Sequence, residues 1–180
     1  MNFFRINEYL HCYDFPYYNY LKENEDYFNK IYEDKRPTIE QYNVSITGGE
    51  VYEFLNQKLL EIVFQHYYVS SYYSKHSIGV YKQTNKNSEK MPHNHIRSSS
   101  ITAVFYLNPP KPKDGGGITF YYDNLNDSQT IHPTKESVYL FPSWVYHTPE
   151  PQISSTPRFS LNWGYMSNIR PIHKITGDYW

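Results

Sequence analysis

The chain is expected to fold as one mainly β domain, a sandwich or jelly roll with N-terminal supporting helices, and three observations lead there. Helical periodicity is confined to the N-terminal part. Short β-rich runs separated by Pro- and Gly-containing turns fill most of the remainder. Tyrosine is abundant, 21 of 180 residues, and its amphipathic ring favours sheets, where one face packs and the hydroxyl still finds a partner.

Residues 1–70 read as a helical support layer. In the stretch 17–32, Tyr20, Leu21, Tyr27, Phe28 and Ile31 recur at helical spacing, and Gly48-Gly49 then breaks the chain. The stretch 50–68 places Val51, Phe54, Leu55, Leu59, Ile62 and Val63 three and four residues apart, so one face buries. Residues 71–166 carry the barrel, with strands expected at 77–83, 99–107, 117–122, 137–141 and 158–165. Several short strands joined by Pro- and Gly-rich turns suit a sandwich or jelly roll whose sheet is covered by the helices. The stretches 82–90 and 109–117 are expected as loops inside the domain, because neither side buries a core alone. Residues 167–180 form a C-terminal tail that Tyr179 and Trp180 either pack down or leave frayed.

At this length a single domain is expected, 1–180. A formal net charge of -1 and a pI near 6.7 provide no global field for nucleic acid or an anionic membrane. One cysteine, Cys12, excludes an intrachain disulfide and reads as a small packing residue. No apolar run is long enough to span a bilayer, and Arg5, Asn7 and Glu8 interrupt the start where a signal peptide needs apolar residues. A cytoplasmic location is therefore expected, the host cytoplasm if the gene is carried by a phage.

His93-Asn94-His95 is the first candidate site. Residues two apart on a strand point to one side, so both imidazoles can face one cavity. His147, beyond the expected strand at 137–141, is a third candidate, since a jelly roll gathers distant strands around a pocket. Three imidazole ligands suit iron, zinc, copper or nickel and leave positions open for substrate or oxygen. His11, His66, His76, His132 and His173 lack such pairing and read as core or surface residues.

The run PHNHIRSSSITAVFYLN, then GGGITFYYD, then SVYLFPSWVYHTPEPQISSTPRFSLNW resembles the 2-oxoglutarate/Fe(II)-dependent oxygenase superfamily. It is most similar to small oxygenases of marine bacteria and their phages, and more distantly to prolyl hydroxylases, over about residues 77–165. The resemblance implies a double-stranded β-helix, the cupin-like barrel form of the jelly roll, with Fe(II) as metal, 2-oxoglutarate as co-substrate and O2 as partner. The family pattern is a His-x-Asp/Glu pair with a distal His, which implies His93 and His147 as ligands. It puts His95 where an acid is expected, so His95 either ligates or stands beside the metal. A basic residue about ten positions after the distal His binds the far carboxylate of the co-substrate in the family. Arg158-Phe159-Ser160 matches that pattern here, and a guanidinium fork with a neighbouring hydroxyl suits a carboxylate. Tyr106, in the Tyr-Leu-Asn segment, is implied to share that carboxylate, and Thr102 alternates onto the same face. Gly115, Gly116 and Gly117 match the family's glycine turn. Trp144 and Trp163 read as core.

The expected reaction is hydroxylation of a peptidyl side chain, proline among them, or of a small molecule, with release of succinate and CO2. Two other readings stay open. A cupin dioxygenase or isomerase shares the His-x-His pair, although the stretch Ile96-Arg97-Ser98-Ser99-Ser100 lacks the expected glutamate. A non-catalytic phage jelly roll would make the histidines incidental.

Overall fold

A computed structural model of the chain describes residues 3–35, 43–70, 77–84, 91–122, 125–134 and 136–180. The N-terminal part contains β1 (Phe3–Arg5), β2 (His11–Asp14), α1 (Tyr18–Glu23), α2 (Glu25–Lys35), β3 (Asn43–Ile46), α3 (Glu50–His66) and β4 (Tyr67–Tyr68). The barrel strands follow: β5 (Ile78–Gln83), β6 (Ile101–Tyr106), β7 (Ile118–Tyr122), β8 (Asp127–Ile131), β9 (Ser137–Pro142), β10 (Tyr146–Pro149) and β11 (Arg158–Tyr165). A short β12 (Ile172–His173) pairs with β4.

The strands form a seven-stranded sheet of order β1-β2-β9-β6-β11-β5-β3 and a three-stranded sheet of order β10-β7-β8, with antiparallel pairing throughout. The larger sheet is buried on both faces, and period-two alternation assigns its residues to two cores. Ile101, Ala103 and Phe105 of β6 and Phe159, Leu161, Trp163 and Tyr165 of β11 pack with the helices. Val104 and Tyr106 face the second core between the sheets, with Ile118, Phe120, Tyr139 and Phe141.

Helix α3 starts just after Gly49, whose φ of 95° favours glycine, and buries Val51, Leu55, Leu59, Ile62 and Val63 on one face, as their spacing predicts. The helical stretch expected at 17–32 is divided into α1 and α2. Asn24 sits at the break and its side-chain amide donates to the carbonyl of Tyr20, the local competition with helix bonds that asparagine favours. Trp163 is fully buried and donates to Asn56 Oδ1 at 2.9 Å, so its indole N–H is satisfied. Trp144, in contrast to its expected place in the core, is partly exposed and meets Tyr9 edge-on. No helix is long and apolar enough to cross a membrane among the described residues.

The layer at 1–70 is only partly helical, because β1, β2 and β3 extend both edges of the large sheet. The tail at 167–180 is pinned by Trp180, which is buried while Tyr179 is exposed. It closes over a group of polar aromatics read from sequence as unrelated. His173 Nδ1 accepts from the backbone N–H groups of Ile175 (3.3 Å) and Thr176 (3.1 Å), and its Nε2 lies 2.6 Å from Tyr13 Oη. Tyr13 donates to Tyr67 Oη, which lies 3.0 Å from His11 Nδ1, and His11 Nε2 faces Asp178 Oδ2 at 3.3 Å. His76 and residues 85–90 of the expected loop at 82–90 lie outside the described residues.

Candidate metal centre and co-substrate cleft

Strand β9 ends at Pro142, and a tight turn through Ser143 to Val145 carries the chain from the large sheet to the small one, where β10 presents His147. His93 joins the small sheet through an isolated antiparallel bridge to His147. Each backbone N–H donates to the other's carbonyl, at 3.0 and 2.9 Å. The two histidines are thus held side by side by backbone bonds, independent of their rings. His95 is anchored separately, its N–H donating to the Ser143 carbonyl at 2.7 Å and its own carbonyl accepting from Ser98 and Ser99.

One ligand nitrogen from each of His93, His95 and His147 lies within 4.8 Å of the others, His147 buried and the other two half-buried. That clustering can hold a metal ion. The donor chemistry fits as well. His93 Nδ1 lies 3.1 Å from the Met91 carbonyl and His147 Nδ1 lies 3.2 Å from the Val145 carbonyl. A carbonyl takes an N–H from the ring, which puts the lone pair of the neutral imidazole on Nε2, the form a metal requires. His95 Nε2 lies 3.1 Å from Asn162 Nδ2, which steadies the ring from the β11 side.

Strand β11 links this end of the site to the other. Arg158, Ser160 and Asn162 alternate onto the cleft face, and the cleft is further lined by Tyr81, Gln83, His93, Val104, Tyr106 and His147. Four residue steps along the strand, about 13 Å, separate Asn162 from Arg158. Arg158 is only 2% exposed, a rare state for a charge without an acidic partner, and none pairs with it among the described residues. Its Nη1 donates to the Gly117 carbonyl at 3.3 Å and its Nη2 to Gln83 Oε1. Burial pulls the guanidinium down from its ordinary value, and Tyr106, whose ring centre is 5.6 Å from Cζ, acts the other way. Burial also pushes the Tyr106 phenol up to about 12, so it remains a donor at neutral pH. The glycine turn serves the same end. Gly115 and Gly116 have φ of 68° and 74°, and a Cβ on Gly116 would stand 3.1 Å from Arg158 Nη1.

Thr102 shares its strand face with Tyr106 but not the cleft. Its hydroxyl lies 2.7 Å from Ser143 Oγ and 3.4 Å from Ser99 Oγ, in a buried hydroxyl cluster beneath the His95 segment. Residues not found from sequence are Gln83, Tyr81 and Asn162. For Asn162 a signal was present, since it continues the Arg158-x-Ser160 alternation by one step.

The family model of the 2OG-Fe(II) oxygenase superfamily matches residues 62–165. The chain belongs to that superfamily. The superfamily's name gives Fe(II) and 2-oxoglutarate as its metal and co-substrate, which favours the oxygenase reading over the cupin one. No curated protein sequence matches it. Among solved structures, a prolyl 4-hydroxylase from Phytophthora capsici superposes with a TM-score of 0.64 at 17% identity, covering 89% of this chain and 59% of that one. A Trichoplax adhaerens prolyl hydroxylase in complex with a hypoxia inducible factor oxygen degradation domain peptide fragment gives 0.63 at 16%, covering 89% and 84%. A Pseudomonas putida prolyl-4-hydroxylase gives 0.56 at 15%, covering 88% and 93%. The chain thus spans less than two thirds of the Phytophthora chain but most of the other two. These likenesses establish the double-stranded β-helix fold.

Proposed function

We propose that the protein is a hydroxylase whose metal is held by His93, His95 and His147 and whose co-substrate is anchored by Arg158, Tyr106 and Ser160, with release of succinate and CO2. The observation that carries this reading is a single cleft lined at one end by His93 and His147 of the three-imidazole cluster and at the other by a buried guanidinium with no acidic partner among the described residues. When bound, Fe(II) and 2-oxoglutarate supply the oxidising chemistry, and the protein supplies binding and orientation. Arg158 forks onto the distal carboxylate while the protonated Tyr106 phenol and the Ser160 hydroxyl donate beside it. The apolar wall of Val104 and Ile118 excludes water along the carbon chain.

The primary substrate in this reading is a peptidyl side chain. Met91, Ile96, Trp144 and Tyr146 are exposed large apolar residues on the two segments that carry the histidines, a surface that suits a docking chain more than a free metabolite. The Trichoplax structure contains a bound peptide fragment.

The test is an anaerobic titration of the Fe(II)-loaded protein with 2-oxoglutarate, followed by calorimetry and visible absorption, and then aerobic incubation with peptide pools. Saturable co-substrate binding, succinate formation and a one-oxygen mass gain on a peptide are expected. Absence of any 2-oxoglutarate binding would overturn the reading.

A further inference from the structure

Gln83 ends β5 directly opposite Arg158 on β11, is fully buried, and lines the same cleft. Its Oε1 accepts from Arg158 Nη2. Among the described residues its Nε2 is buried without a hydrogen-bond partner, and so is Nε of Arg158. A buried donor left unmade is costly, and both donors belong to residues that line the cleft, so an acceptor entering there would relieve that cost.

The surroundings favour an anion. The guanidinium is steadied by two neutral oxygens, Gln83 Oε1 on Nη2 and the Gly117 carbonyl on Nη1, and no acidic group among the described residues compensates its charge. A carboxylate is planar, carries two oxygens with about four lone-pair sites, and can accept from a guanidinium and a carboxamide together. We propose that Gln83 is a binding residue for the co-substrate's distal carboxylate. Its oxygen orients Arg158, and its Nε2 donates to the same carboxylate. The inference rests on the 2-oxoglutarate reading above.

The test titrates Fe(II)-loaded wild type, Gln83→Ala, Gln83→Glu and Arg158→Ala anaerobically by calorimetry, with 2-oxoglutarate and with 2-oxobutyrate, which lacks the distal carboxylate. Gln83→Ala is expected to weaken 2-oxoglutarate about tenfold and to leave 2-oxobutyrate unchanged. Gln83→Glu is expected to weaken 2-oxoglutarate further, since the new carboxylate neutralises Arg158 and repels the ligand. Fe(II) affinity should match wild type in all variants. Wild-type affinity in both Gln83 variants, with Arg158→Ala impaired, overturns the inference and leaves the reading standing. Equal losses for both ligands also overturn it, because the residue then acts on the fold and not on the carboxylate. If wild type binds no 2-oxoglutarate, the reading itself fails and the inference with it.

Discussion

Lowering the pH from 7 to 5 should destabilise the fold through the aromatic group beneath the C-terminal segment. His173 is fully buried. Burial, then His66 and Arg5, push it from 6.5 down to about 4, against the pull of Asp178. Burial first, then His173, push His11 down to about 3, again opposed by Asp178. The geometry explains the direction. Two backbone N–H groups already donate to His173 Nδ1, so a proton there would set donor against donor. Both folded values lie below the unfolded one, so the stabilisation is complete above about pH 6.5 and is lost as the pH falls toward 4. Between pH 7 and 5 the unfolded chain takes up a proton that the folded chain refuses, costing about 2 kcal/mol for each imidazole. Urea unfolding at both pH values measures this, and His173→Gln removes that imidazole's contribution while His11 keeps its burial penalty. The wild type should lose about 2 kcal/mol more than the variant on acidification. Identical losses in the two proteins would refute the assignment.

Arg158→Ala should weaken 2-oxoglutarate by about 2 kcal/mol or more while Fe(II) affinity holds, as read by calorimetry. Tyr106→Phe removes one neutral donor and should cost about 1 kcal/mol in the same assay, with a zero effect returning Tyr106 to simple packing. His95→Ala should lower metal occupancy, whereas His95→Asp should retain iron and change the rate of oxygen consumption; a metal-loaded crystal structure with the His95 ring turned away rules out ligation. An all-imidazole set leaves one more positive charge than the family's acid-containing set, so zinc and nickel should also load readily. Asn162→Ala should reduce metal affinity about tenfold through loss of the partner that orients His95, and chelator competition would measure it.

Alternation makes the working half of the protein legible in the sequence. The strands expected at 77–83, 99–107, 117–122, 137–141 and 158–165 correspond to β5, β6, β7, β9 and β11, and the periodicity of 50–68 corresponds to α3. These elements bury one apolar face or two, and burial leaves a pattern. β8 is a polar strand reading Asp-Ser-Gln-Thr-Ile with little buried surface, and β2 buries His11 and Tyr13, which look polar in sequence. Neither announces itself by hydropathy.

For the site, the sequence by itself offered the His-x-His pair, and the family resemblance implied His147 as its partner and the Arg158-x-Ser160 step. The structure brings the three histidines together, although His93 and His95 lie outside the named strands, with His93 held by an isolated bridge to His147. Tertiary structure alone decided that Thr102 turns its hydroxyl to Ser143 while Gln83, seventy-five residues before Arg158, stands against its guanidinium. It also decided that His11, Tyr13, Tyr67 and His173, each unremarkable alone, share one buried hydrogen-bond chain. The physical reason is common to both. Side-chain partners across a sheet are set by register, and register depends on which strands lie next to each other, a matter of the whole fold and not of any one segment.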